Sequence, residues 1–341
     1  MRDMTGPDPG LLRRGLLVGA ASLLLLVAAC GGSSSGGSAG TSSPGSAPQS
    51  SPSASTTSAS SSAASSGAPA GAYSKVLVIA EENEDFHQVL GGDNAPFLTS
   101  VSQRYGLATS MNAGYPTSCP SLAAYLIMTS GDRNNICDDD DPSAHRITGP
   151  NIFEQVATSG REWRSYAEAM PAACTRSNVD PYLVRHAPAA YYVSEESRCG
   201  QWMVPLGTTT QGALHDDVAG GRLPAYGFVT PSACNDMHGG HGCQNVDLVA
   251  DGDRWLSQWL PQVMAGPDYR AGRLMILITW DEGNDQNNHI PALVVSPTTN
   301  HVTVSRQLTQ CNLLRTVQDV LHLTPLGCAA TAAPVTTDFG L

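Results

Sequence analysis

The chain has 341 residues, 9 cysteines, 14% charged residues and a formal net charge of −12, and Lys75 is its one lysine. An acidic chain of this kind lacks the electrostatic footprint of a nucleic-acid binder and does not suit broad adhesion to anionic membranes. A hydrophobic fraction of 41% is enough for a packed core, so the chain as a whole is not disordered.

In chain order, Arg13 and Arg14 precede an apolar run from Gly15 to Ala29 that is too short to span a bilayer comfortably. The run ends Leu26-Val27-Ala28-Ala29-Cys30. Small residues before a Cys form the pattern of a bacterial lipoprotein signal, with Cys30 as the lipidated N-terminus and membrane anchor. Arg13-Arg14-Gly15-Leu16-Leu17 also resembles a twin-arginine signal, and a plain secretory signal cleaved near residues 29–31 is the competing reading. Residues 31–72 contain only Gly, Ser, Ala, Pro, Thr and Gln. Such a segment buries too little surface to offset chain entropy and reads as a disordered tether. The expected organisation is a signal over 1–30, a tether over 31–72 and one folded, monomeric domain over 73–341.

Eight cysteines remain beyond Cys30: 119, 137, 174, 199, 234, 243, 311 and 328. An even number in an exported protein argues for disulfides. Many connectivities are open, and the sequential pairing is the most economical. Zinc-ribbon chemistry is disfavoured, because no Cys-x-x-Cys pair occurs.

Within the domain, Lys75–Ala80 (KVLVIA) is a continuous apolar run, as in a buried parallel strand. Ala95–Tyr105, Pro120–Thr129 and Asn151–Ser159 read as helices, each with a start signal of Pro or Asn. Tyr226–Thr230 reads as a strand. Gly252–Ala265 reads as a helix with Trp255, Leu256, Trp259 and Leu260 on one face. Leu274–Trp280 (LMILITW) is the strongest strand signal, Ala292–Ser296 is another strand, and Leu308–Leu323 is an amphipathic helix. This alternation predicts an α/β sandwich with a mostly parallel sheet and helices on both faces.

Ligands in such folds bind beyond the carboxyl ends of the strands. Glu81, Glu82 and Asn83 follow the first strand. Asn235, Asp236 and His238 follow Tyr226–Thr230. Asp281, Glu282, Asp285 and His289 follow Leu274–Trp280. Carboxylates gathered at three strand ends would repel one another in a shared crevice unless a cation sits among them. That convergence predicts a divalent metal site. Upstream, Ser118 lies before Pro120 and hence just before a helix N-terminus, where free N–H groups favour an anion such as phosphate. A serine beside a metal can attack phosphorus without a histidine base. On pattern alone, Ser118 or Thr117 as a helix cap is the favoured reading, because capping serines are common.

These residues resemble a known family. Glu81-Glu82-Asn83-x-x-Phe86 is similar to the Glu-Glu-Asn-Arg-Ser-Phe opening of the phosphoesterase family of bacterial acid phosphatases and phospholipases C, in the alkaline-phosphatase-like superfamily. Cys119-Pro120-Ser121-Leu122 through Tyr125-Leu126 to Ser130-Gly131 resembles its His-Pro-Ser-x-Pro-Asn-Tyr-Leu-Ala-Leu segment. Further matches are Tyr166-x-Glu168-x-Met170-Pro171, Arg185-His186-x-Pro188, Phe228-Val229-x-Pro231 with Asn235-Asp236-Met237-His238, Gly252-Asp253-x-Trp255-Leu256, and Ile278-Thr279-Trp280-Asp281-Glu282 with Ile290-Pro291. The likeness covers about residues 74–340. It implies an alkaline-phosphatase-like sandwich and a metal-dependent phosphomonoesterase of the acid phosphatase type. The implied substrates are phosphate esters, including phosphoinositides or other lipid phosphates. By the same resemblance Glu82, Asn83, Asp281 and Glu282 hold a metal beside Ser118. Ser118 becomes the phosphorylated nucleophile, and Asp236 and His238 serve a second metal, the phosphate or the leaving group. Asp253 supports the helix that follows it and does not touch substrate. The metal could be Ca, Mg, Mn, Zn or Fe.

The chain departs from the family pattern in three places. Glu84-Asp85 replaces Arg-Ser, Cys119 replaces a His, and Gln310 replaces a second His. His289 is the first choice to stand in as a metal ligand for the latter, ahead of His241 and His301. A phospholipase C-type diesterase and a catalytically silent binding lipoprotein are the competing functions. Several residues carry plainer expectations: Glu81 is read as the solvated member of its pair, Asp138–Asp141 as a solvated loop, and Trp255 and Trp259 as core.

Overall fold

The computed structural model describes residues 73–244 and 246–341. The expected signal, the Cys30 anchor and the tether lie outside these residues. Among the described residues no helix is long and apolar enough to cross a membrane.

The strands are β1 (Lys75–Glu81), β2 (Gly106–Ala108), β3 (Met111–Asn112), β4 (Trp163–Ala167), β5 (Met203–Pro205), β6 (Tyr226–Thr230), β7 (Leu274–Trp280), β8 (Ala292–Val295), β9 (Val302–Val304) and β10 (Leu308–Thr309). The helices are α1 (Phe86–Leu90), α2 (Pro96–Arg104), α3 (Ser121–Ser130), α4 (Ile152–Thr158), α5 (Cys199–Trp202), α6 (Ala213–Ala219), α7 (Leu248–Ala265), α8 (Pro267–Arg270), α9 (Gln310–Val320) and α10 (Thr336–Phe339). Eight strands form one sheet in the order β5-β4-β6-β1-β7-β8-β2-β9. All neighbours pair in parallel except β8, which runs antiparallel to both β7 and β2. Every residue of β6 and β7 is buried, so both faces of the sheet are covered, as their unbroken apolar runs require.

The expected α/β architecture is therefore present, and the long elements fall where the sequence puts them. Two helix starts differ by more than one residue. The helix predicted from Gly252 begins one turn earlier, at Leu248, because Asp247 caps it by accepting from Ala250 N at 3.0 Å. The helix predicted from Leu308 begins at Gln310, because Leu308 and Thr309 first pair with β3. The short strands β2, β5 and β9 carried no usable signal, since three residues are too few to show a period.

The register of the central strands positions the site. β1 lies between β6 and β7, pairing Val76–Ile79 with Tyr226–Val229 and Lys75–Glu81 with Leu274–Trp280. All three strands run the same way, so their polar sequels emerge at one edge. Val78 shares a face with Tyr226 and Leu277, and the rings of Tyr125 on α3 and Phe153 on α4 pack against Phe228 on that side. The disulfides are Cys119–Cys137, Cys174–Cys199, Cys234–Cys243 and Cys311–Cys328, the sequential pairing.

Trp255 and Trp259 are core, 4% and 3% exposed. Asp253, buried on α7, supports not the helix that follows it but α2, far earlier in the chain. Its oxygens accept from Leu98 N at 2.7 Å and Phe97 N at 3.1 Å, satisfying amides that the α2 N-terminus would otherwise leave open. Asp253→Ala strands both amides in a buried place and should cost about 2 kcal/mol in a denaturant titration, with Asp253→Asn losing less.

Candidate active site

At the shared edge the backbone itself knits the three strand ends together. Glu82 N donates to Asp236 O at 2.8 Å, and Asp281 N donates to Glu81 O at 3.0 Å. Asn83 then turns sharply, with φ 38°, a left-handed conformation that Asn tolerates better than most residues. The turn brings Asn83 N to 3.2 Å from Asp281 Oδ1 and Asn83 Nδ2 to 3.3 Å from Glu282 Oε1. Tyr115 OH donates to Glu282 Oε2 at 2.8 Å. Glu82, Asn83, Asp281 and Glu282 are thus assembled into one cluster.

The serine that meets this cluster is Ser121. Pro120 is in the extended N-cap position, so Ser121 is the first residue of α3. Its Oγ donates to Glu82 Oε2 at 3.1 Å. One turn along α3, Tyr125 OH donates to Glu82 Oε1. Ser118, the serine singled out from the sequence, lies exposed in the preceding turn, and among the described residues no hydrogen bond joins its hydroxyl to a carboxylate. The helix starts within one residue of the expected place, and the serine that it brings to Glu82 is Ser121, three residues after Ser118.

His186 is the second residue that was matched to a motif without a role. It lies in a short 3-10 turn, Val184–His186, and is 2% exposed. Its Nε2 lies 3.2 Å from Glu82 Oε1, its Nδ1 3.7 Å from Asp236 Oδ2, and its ring stacks on Tyr125 at 5.2 Å. Asp236 is buried, and its Oδ1 accepts from His238 N at 2.9 Å and Gly239 N at 3.4 Å. The His238 ring itself is exposed, with Nδ1 3.2 Å from Gly239 O.

His289 does not join the cluster. Its Nε2 lies 3.1 Å from Thr109 O and its ring stacks on Phe86 at 4.8 Å, while its backbone bridges Asn112. The alternatives are also engaged elsewhere, His241 with Asp180 Oδ1 at 3.1 Å and His301 with Gln103 O at 2.6 Å. Gln310 takes a structural part, donating from Nε2 to Trp280 O at 2.6 Å and so pinning the end of β7. Glu81, expected in solvent, is 0% exposed; it is the last residue of β1 and faces Asp236 and Glu168. Strand alternation explains why consecutive glutamates have different neighbours: Glu82 goes to α3 and Glu81 does not. Asp139, from the run read as solvated, instead accepts from Leu122 N at 3.0 Å. Asp138, Asp140 and His145 offer ligand atoms within 4.8 Å of one another on the loop beside it.

The electrostatics follow from burial. Desolvation first, and then neighbouring acids, raise Glu82 and Asp281 well above the ordinary carboxyl range. Burial pushes Asp236 from 3.8 up to about 7, and burial pushes His186 well below 6.5. Asn83 Oδ1, Asp236 Oδ2, Asp281 Oδ2 and both Glu81 oxygens are buried without a hydrogen-bond partner. Unpartnered oxygens gathered in one dry place fit a hard cation, and Asn83 adds a neutral oxygen to the acids.

The Phosphoesterase family matches residues 92–324. The chain belongs to that family. The phosphoesterase is an enzyme that hydrolyses phosphoric esters. It is 24% identical over 273 residues to a phosphatidylinositol-3-phosphatase of Mycobacterium tuberculosis, covering 79% of this chain and 83% of that protein. It is 23% identical to an acid phosphatase of Aspergillus fumigatus, covering 62% of this chain and 45% of that one, so it spans about half the length of the fungal relative. In fold it is similar to a protein in the alkaline phosphatase superfamily from Vibrio parahaemolyticus, with a TM-score of 0.54, 13% identity, and 79% and 71% of the two chains covered. A lipoteichoic acid synthase from Listeria monocytogenes gives 0.53 at 10% identity, with 79% and 77% covered.

The raised carboxyls have a sign that can be tested. A group whose folded pKa exceeds its unfolded value stabilises the fold below the unfolded value, and that stability is lost as pH rises through the folded one. Asp236 makes this window run from 3.8 to about 7. Phosphoesterase freed of divalent ions with EDTA should therefore melt roughly 5–10 °C lower at pH 7.5 than at pH 4.5, and added divalent ion should close the gap. A flat melting temperature across that range would contradict the assignment.

Proposed function

We propose that this phosphoesterase is a metal-dependent phosphomonoesterase that works through a phosphoserine on Ser121. The observation that carries the reading is the Ser121 hydroxyl at the N-terminus of α3, 3.1 Å from Glu82 Oε2. Glu82, Asn83, Asp281 and Glu282, with Ser121 Oγ, are the donors that would hold a divalent ion. When bound, the ion neutralises the crowded acids and favours the ionised serine. Tyr125 and Tyr115 orient the carboxylates of Glu82 and Glu282 through their hydroxyls. Ser121 Oγ forms the bond to phosphorus as the ester oxygen leaves, and water later cleaves the phosphoserine. Asp236, which still carries a proton at mildly acidic pH, supplies one to the departing oxygen, with His238 on the exposed side of the same turn. His186 spaces Glu82 from Asp236 and is held neutral by burial.

The names of the relatives, a phosphatidylinositol-3-phosphatase and acid phosphatases, support phosphate monoesters, including lipid phosphates, as substrates. Four disulfides fit an oxidising compartment, which supports export.

Hydrolysis of p-nitrophenyl phosphate by the full-length protein tests the assignment. Ser121→Ala should lower kcat by about a thousandfold or more, and Ser118→Ala should stay within about threefold of the parent. EDTA should stop turnover and divalent ion restore it. Full activity in Ser121→Ala would sink the nucleophile. Faster turnover of bis-p-nitrophenyl phosphate than of the monoester would move the enzyme to the diesterases.

A further inference from the structure

A fourth strand end reaches the same edge of the sheet. β4 pairs with β6 in parallel, Ala167 beside Thr230, and Glu168 is the first residue after β4. Its carboxylate is turned to the loop that follows β6. Oε2 accepts from Ser232 N at 2.9 Å, from Ser232 Oγ at 3.0 Å and from Asn235 Nδ2 at 2.9 Å, while Oε1 accepts from Trp255 Nε1 at 3.1 Å. Four donors suit a carboxylate, whose oxygens only accept.

The loop held in this way carries Asp236. Ser232 O accepts from Asn235 N at 2.8 Å and from Asp236 N at 3.0 Å, which closes a turn. Ala233 N on Pro181 O and the Cys234–Cys243 bridge hold the middle of that turn, and one oxygen of Glu168 holds Ser232 and Asn235 at its ends. Asp236 leaves the turn with its peptide oxygen on Glu82 N at 2.8 Å. Its carboxyl is aimed by its own main chain: Oδ1 accepts from the amides of His238 and Gly239, and Oδ2 is buried without a hydrogen-bond partner. That Oδ2 lies 3.7 Å from His186 Nδ1, His186 Nε2 lies 3.2 Å from Glu82 Oε1, and Glu82 Oε2 takes the Ser121 hydroxyl at 3.1 Å. A line of contacts therefore runs from the Glu168 turn to the serine. Among the described residues no hydrogen bond joins Glu168 to Glu82 or Ser121 directly.

We propose that Glu168 is the positioning residue for Asp236, fixing the turn so that the Asp236 carboxyl faces the departing ester oxygen. The proposal rests on the reading of Asp236 as the proton donor. No bond forms or breaks at Glu168. Its part is to spare the turn the search among orientations that a free loop makes, and a group displaced by about 1 Å can lose most of its effect on rate. The consequence is selective. An alkoxide leaves poorly without a proton, whereas nitrophenolate leaves readily, so losing the position of the donor slows alkyl esters more than nitrophenyl esters.

The test is a double-mutant cycle on the full-length, metal-loaded protein, read as kcat/KM at mildly acidic pH with β-glycerophosphate and with p-nitrophenyl phosphate. Glu168→Ala should lower kcat/KM for the alkyl ester by about thirtyfold and for the nitrophenyl ester by less than about threefold. Glu168→Gln still offers one oxygen to Ser232 and Asn235 and should recover most of that loss. Glu168→Ala combined with Asp236→Asn should be no slower than Asp236→Asn alone. If Glu168 only braces the fold, its loss will slow both esters alike, or its effect will multiply with that of Asp236→Asn, and the proposal is overturned. An unchanged alkyl-ester rate in Glu168→Ala overturns it as well. Should Glu168→Ala fail to fold, Glu168→Gln takes its place in the cycle. If Asp236→Asn itself slows both esters equally, the proton-donor reading fails, and the non-additivity of the pair still decides whether Glu168 acts through Asp236.

Discussion

The structure depends on the crowding of carboxylates at the carboxyl edge of three adjacent parallel strands. β1 is hydrogen-bonded to β6 on one side and β7 on the other, and the backbone bonds from Glu82 to Asp236 and from Asp281 to Glu81 continue that pairing past the strands. The acids are therefore brought together by the sheet itself. Their burial leaves several oxygens without partners, which is unfavourable unless they are protonated or share a cation. A fold that keeps such a site gives up stability there and recovers it in a core made of the same strands, whose remaining residues are almost all buried and apolar.

The helix α3 is the second half of the arrangement. It is buried along its whole length, so its position over the sheet is set by packing and not by the site. That fixed position carries Ser121 and Tyr125 to the two oxygens of Glu82. The residues ahead of it are a turn tied to the acidic loop by Cys119–Cys137, and this staple brings Asp139 to the Leu122 amide. Ser121, the acid cluster and Asp139 thus come from separate stretches of chain, each held by packing, strand pairing or a disulfide.

Much of this was legible in sequence for a physical reason. A buried parallel strand must be apolar throughout, so Lys75–Ala80 and Leu274–Trp280 announce themselves, and the polar residues after them are marked as strand-end residues. The same logic exposes Glu82, Asn83, Asp281 and Glu282. It fails for His289, because distance along the chain from a strand end says little once a loop can turn away; this loop carries the ring to Phe86 and Thr109 instead. It fails for Glu81 because an acidic residue is read as solvated by default, while strand geometry puts it inside. Ser118 and Ser121 differ by three residues, close to one helical turn, and a Pro between them serves equally as first helical residue or as cap.

By itself, then, the sequence determined the central strands, the long helices and the acids at the strand ends, because each follows from local pattern or composition. Tertiary structure alone decided which serine meets Glu82, that His186 lies between Glu82 and Asp236, that Gln310 pins β7, and that Asp139 bridges Leu122 and Arg185. Those are contacts between segments far apart in the chain. Local periodicity carries no information about such meetings, which exist only once the sheet register and the packing of α3 have placed the partners within hydrogen-bonding distance.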